Sequence, residues 1–208
     1  MQTPASPARP LVFYFDFISP YGYFAALRIE EIAARHGRTV DWQAMLLGVS
    51  VLKVMGLKSL VDTPLKGDYV RRDVRRHFRK LGISSHRDVD APVMNPLPAA
   101  RALHWVKQHH PTLAGPLALA LYDAYWCEGA DLSTAAAICA AAQARGLAVP
   151  DLADAIESKE AADLLRAAVN ASLKTGIFGS PTVVVDGEPF WGFDRLDELE
   201  QWLAKGAW

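Results

Sequence analysis

The sequence predicts an α/β protein in which a β-α-β half and a β-β-α half are separated by a large all-helical insertion. Three observations carry that prediction. Leu11–Phe17 is a run of aromatic and branched residues with the composition of a buried central strand. A second Val-rich run follows Ser180-Pro181. Between them, from about Gly48 to Thr175, the chain is rich in Ala and Leu at helical spacing, broken at Pro64, Gly82, Pro92 to Pro98, Pro111, Gly129 and Pro150.

The elements follow in order. Residues 1–10, with three prolines and no apolar stretch, read as a flexible tail. After the first strand, Ser19-Pro20 supplies an N-cap and a proline at the first helical position, and Gly37 closes that helix. Thr39–Leu47 reads as the second strand, and the length of the connection suits a parallel pair. In the insertion, Val70, Val74, Phe78 and Leu81 form a stripe with Arg and Lys on the other faces. Further helices are expected over 98–109, 113–126, 133–145 and 159–175. Asp186-Gly187 between two apolar runs predicts a tight hairpin. Asp194 to Ala204 closes the chain as an amphipathic helix, with Asp194 placed as its N-cap and Leu196, Leu199 and Leu203 on one stripe. The expected organisation is therefore a discontinuous α/β unit at 11–47 and 176–208 with the insertion at 48–175.

Composition narrows the function. The chain has 208 residues, 51% of them hydrophobic, enough for a core without disulfide staples. A net charge of −1 removes the overall basic balance of a protein that holds nucleic acid by its whole surface. The seven Lys and Arg from Lys66 to Lys80, with no interleaved exposed aromatics expected and no recognised nucleic-acid module around them, read as a solvated helix face. No apolar run reaches the roughly 18 residues of a membrane span, and a cytoplasmic protein is expected. Cys127 and Cys139 are in neither a C-x-x-C nor a zinc-type spacing, and the histidines suggest no metal site.

The element order, with Pro181 directly before the third strand, resembles the thioredoxin fold, and the helical insertion resembles its DsbA-like branch. Phe15-Asp16-Phe17-Ile18-Ser19-Pro20-Tyr21-Gly22-Tyr23 is similar to the first-strand motif of kappa-class glutathione transferases and 2-hydroxychromene-2-carboxylate isomerases. Phe178-Gly179-Ser180-Pro181-Thr182 is similar to their cis-proline loop, and Trp191-Gly192-Phe193-Asp194-Arg195-Leu196 to their segment before the last helix. Redox members of the fold carry Cys-x-x-Cys where this chain has Ser19-Pro20-Tyr21-Gly22. Thiol–disulfide exchange needs an attacking thiolate and a resolving thiol, and a serine supplies neither.

The resemblance implies glutathione as the bound thiol carrier. It assigns Ser19 the hydrogen bond to the thiolate at a helix N-terminus, where an anion is favoured. Ser180 and the cis Pro181 take the cysteinyl backbone, Asp194 the γ-glutamyl amino group, Lys66 a carboxylate, and Phe193, which replaces a hydroxyl residue, a backbone contact only. The family's Gly-Asn-x-Pro-Pro string is absent, Met55-Gly56-Leu57-Lys58-Ser59-Leu60 standing in its place. The implied activity is interconversion of 2-hydroxychromene-2-carboxylate with trans-o-hydroxybenzylidenepyruvate by reversible thiolate addition, in aromatic degradation and in a homodimer. A kappa-like transferase and a non-catalytic peptide-binding module are the alternatives.

Overall fold

The structure is a computed structural model that describes residues 9–208, so the expected tail lies outside the described residues up to residue 8. β1 (Leu11–Phe15) alternates strictly: Leu11, Phe13 and Phe15 are fully buried, whereas Val12 and Tyr14 are half-buried. One face of this strand, not both, is sealed. Ser19 and Pro20 start α1 (Pro20–Arg35) as expected, and the chain turns through Gly37 at φ +64° into β2 (Val40–Ala44). β2 lies parallel to β1, with Phe13 beside Trp42.

The insertion begins with a π-helical segment, Gly48–Val54, and an irregular stretch that interrupts the expected all-helical block before Lys66. It continues with α2 (Lys66–Leu81), α3 (Leu97–His109), α4 (Ala114–Tyr122), α5 (Ala135–Ala144), α6 (Leu152–Glu157) and α7 (Lys159–Lys174). The helix expected over 113–126 is a composite: a 3-10 turn at Pro111–Leu113, α4, and a π-turn at Asp123–Cys127. A π-turn inserts an extra residue and re-aims the side chains beyond it. Here the Tyr23 hydroxyl donates to Asp123 Oδ1 at 2.8 Å, and the Trp126 indole donates to the Phe17 carbonyl at 3.1 Å. The six residues of α6 are too few for periodicity to reveal.

β3 (Thr182–Val185) and β4 (Glu188–Trp191) return the chain to the sheet, whose order is β2-β1-β3-β4 with β3 antiparallel to both neighbours. Positive φ at both Asp186 and Gly187 gives the two-residue turn the expected left-handed form. Pro189, which cannot donate to a ladder, is tolerated because β4 is an edge strand. α8 (Leu196–Lys205) buries Leu196 and Leu199 and half-buries Leu203. Its entry corrects the sequence reading. Gly192 at φ +114° leads into a 3-10 turn, Phe193–Arg195, so Asp194 lies within that turn and caps nothing. Phe13, Phe15 and Phe17 pack with Trp42 and Tyr122, so one continuous core joins sheet and insertion.

Candidate functional site

The C-terminal end of β1, the N-terminus of α1 and the start of β3 meet at one end of the sheet. Ser19 holds that junction. It is 5% exposed, has extended backbone (φ −91°, ψ 114°), and its Oγ accepts from the Gly22 N–H at 3.0 Å, which makes it the N-cap of α1. The same hydroxyl donates to the Ser180 carbonyl at 3.2 Å. The bond from Ser180 to Pro181 is cis, as the resemblance implied. Among the described residues the Ser180 and Tyr21 N–H groups have no hydrogen-bond partner. The unpaired Ser180 N–H and the N-terminus of α1, to which the Tyr21 N–H belongs, thus flank one serine hydroxyl, an arrangement that favours an anion and an added extended peptide.

Asp16 organises the junction. Its N–H donates to Ser180 Oγ at 3.0 Å, and its carbonyl accepts from the Ser19 N–H and from the Tyr122 hydroxyl, each at 2.9 Å. Its carboxyl oxygens accept from the N–H groups of Ile18 (3.2 Å) and Leu47 (2.8 Å), which ties the loop before α1 to the end of β2. The side chain is buried with no cation beside it among the described residues, and burial pushes its pKa up to about 6 despite those two N–H donors. Burial also holds the Tyr122 hydroxyl well above the usual range, so it remains a donor. The sequence signal for Asp16 was a single acid inside a run of aromatic and branched residues. Tyr122, from α4, had none.

Gly22 explains itself by close approach. A Cβ there would sit 2.5 Å from the Tyr122 hydroxyl and 2.9 Å from Ser180 Oγ. Gly22→Ala is expected to lose about 1–3 kcal/mol of stability by overpacking, measured by urea unfolding.

Around this centre the other expected residues are more dispersed. Lys66 opens α2, exposed and without an ion-pair partner among the described residues, seven positions before Asp73 and on the same helix face. Asp73, buried, receives the Tyr21 hydroxyl at 2.9 Å and pairs with Arg76 at 2.6 Å, which fastens α2 to the first turn of α1. Burial and then Asp73 push the Tyr21 hydroxyl above its ordinary range. Phe193, half-buried, packs against Phe24 and His77, with ring centroids at 5.6 and 5.1 Å. The Asp194 side chain is 72% exposed and 3.2 Å from Arg195. Cys127 and Cys139 are unpaired, and burial pushes both thiols up, the opposite of an activated nucleophile.

Residues 10–204 match the model of the DSBA-like thioredoxin domain. The chain belongs to that family. Within the DSBA-like proteins it is 27% identical over 203 residues to a 2-hydroxychromene-2-carboxylate isomerase of Sphingobium xenophagum, covering 94% of this chain and 98% of the relative. It is 25% identical to glutathione S-transferase kappa 1 of Rattus norvegicus, covering 94% and 93%. Its fold matches the solved structure of a 2-hydroxychromene-2-carboxylate isomerase with a TM-score of 0.79, 24% identity and 94% of each chain covered. The DSBA-like domain thus carries a serine, not a cysteine, at the head of its first helix, with relatives named as isomerases and as a kappa transferase.

Proposed function

We propose that this protein is a glutathione-dependent isomerase of the 2-hydroxychromene-2-carboxylate type, working in aromatic compound degradation. One observation carries the reading: the Ser19 hydroxyl sits at the N-terminus of α1, opposite the Ser180 backbone, at the position where redox members of the fold carry an attacking thiol.

The residues present fit the group. The unpaired Ser180 N–H suits the backbone of a cysteinyl residue, the exposed Asp194 carboxylate suits an ammonium, and Lys66 suits a carboxylate. Glutathione, when bound, supplies a nucleophilic thiolate that is returned intact after isomerisation. The part of this chain is to hold that sulfur ionised. Ser19 turns its hydroxyl proton from the Ser180 carbonyl to the sulfur, and the end of the α1 dipole favours the negative charge. Tyr122 and Asp16 keep the loop that bears Ser19 in place. The reading implies a reducing, glutathione-containing compartment, consistent with cytoplasmic residence. It also implies a homodimer, for which the exposed apolar side chains of Leu52, Val54, Met55, Leu57, Leu60 and Leu65 offer a surface.

The rat kappa relative favours a second reading, in which the conjugate leaves as product. Reduced glutathione at about 100 times its Kd is expected to stabilise the protein by about 2.7 kcal/mol, raising Tm by roughly 5–10 °C. Incubation with the hydroxychromene carboxylate should interconvert it with unchanged total glutathione. Stoichiometric loss of glutathione indicates the transferase instead. No thermal shift together with no turnover leaves a non-catalytic peptide-binding module.

A further inference from the structure

Two large aromatic side chains stand in solvent beside the cis-proline loop. Phe178 is 43% and Trp191 52% exposed, and their rings meet edge to face with centroids 4.8 Å apart. The pair is held in place, not loosely displayed. The Trp191 indole lies over Gly179 so closely that a side chain there would clash. Trp191 stands opposite Thr182 in the β3–β4 register, Thr182 Oγ1 donates to the Gly179 carbonyl at 2.7 Å, and the Gly192 N–H donates to the Pro181 carbonyl at 2.9 Å. The loop that presents Ser180 to Ser19 is thus bracketed by the two aromatic residues and their neighbours. Phe190, one residue earlier, points to the opposite face and packs on Trp202 in α8, so the alternation of β4 delivers Trp191 to the open side.

β1 and β4 both end, and β3 begins, at the same end of the sheet as Ser19. Two exposed aromatic rings locked in one orientation form a surface for a flat ring, because offset and edge-to-face aromatic contacts are favoured beyond simple area burial. The Trp191 Nε1–H adds a donor, and among the described residues it has no hydrogen-bond partner.

We infer that Phe178 and Trp191 form the platform for the aromatic ring of the substrate. Trp191 is then the specificity-determining residue, selecting flat aromatic acids over saturated ones. The inference rests on the glutathione-dependent reading for its link to turnover, but binding of the ring stands apart from the thiol.

The test uses the full-length protein labelled with nitrogen-15, which gives one indole N–H signal for each of its six tryptophans. The Trp191 signal is identified by its loss in Trp191→Phe. Saturable movement of that signal on titration with 2-naphthoate, absent with cyclohexanecarboxylate, is the expected result, with or without glutathione. In turnover, Trp191→Ala should raise KM for the hydroxychromene carboxylate by about 10-fold or more, while the Kd for glutathione, measured by calorimetry, stays within about twofold. A Trp191 signal unmoved at saturating 2-naphthoate overturns the platform. So does an unchanged KM in Trp191→Ala, or a signal that responds to protein concentration alone, which would mean that a second copy covers the pair. A protein that binds no glutathione yet shows the selective Trp191 response retains the platform and loses the thiol chemistry.

Discussion

Ser19→Ala is expected to reduce turnover by about 100- to 1,000-fold, the range seen when a single donor to a developing anion is removed. The loss has a spectroscopic counterpart. A hydrogen bond to a charged partner contributes about 1.5–3 kcal/mol, so the pKa of bound glutathione should rise by about 1–2 units, at about 1.4 kcal/mol per unit. Thiolate absorbance near 240 nm, followed against pH, reads this directly. The variant also loses the cap to the Gly22 N–H, with a cost of about 1 kcal/mol in stability. Ser19→Thr, which retains a hydroxyl able to cap and donate, separates the two effects: it should restore the thiol pKa even if crowding lowers stability. An unaltered thiol pKa and full activity in Ser19→Ala would remove Ser19 from the chemistry.

The second large effect is a pH dependence of stability set by Asp16. Its pKa in the folded protein, about 6, lies above the ordinary carboxylate value of 3.8 because burial disfavours the charged form. The folded state therefore holds this proton more tightly than the unfolded chain. The associated stability is fully present below about pH 4 and is lost as pH rises through 6. The full difference is about 3 kcal/mol, of which about 1–1.5 kcal/mol falls between pH 5 and pH 7. His104, kept neutral by burial, contributes with the opposite sign below about pH 6.5, so the quantity to measure is the difference from Asp16→Asn. The asparagine loses one acceptor for Ile18 or Leu47 at every pH, a constant offset. From pH 5 to pH 7 the variant should gain about 1–1.5 kcal/mol relative to the parent in urea unfolding. Parallel curves would show that Asp16 does not titrate in this window.

Local chemistry made much of the fold legible. Ser-Pro marked the start of α1, Asp-Gly marked a hairpin that needs positive φ twice, and the alternation of strand and helix composition gave the order of the halves. What escaped depends on contacts that no local pattern encodes. Asp194 looks like a cap by its position before an amphipathic run, but Gly192 bends the chain one step early and the carboxylate ends in a 3-10 turn. The π-turn at Asp123–Cys127 has its partners on α1 and in the loop between β1 and α1, far away in sequence. The same is true of the candidate site. The Ser19 cap and the Ser180-Pro181 step are readable, whereas the convergence of Asp16, Gly22 and Tyr122 upon them arises only when β1 pairs with β3 and α4 packs against them.

That convergence has a consequence for the life of the chain. The hydroxyl of Ser19 bonds to a carbonyl 161 positions later, and the hydroxyl of Tyr122 reaches back 106 positions to Asp16. No stretch emerging early from the ribosome holds the whole junction, and a product truncated anywhere in the insertion lacks its Ser180-Pro181 side. Contacts so distant in sequence are slow to form. The junction around Ser19 is therefore complete only once synthesis and folding have both reached the last strands.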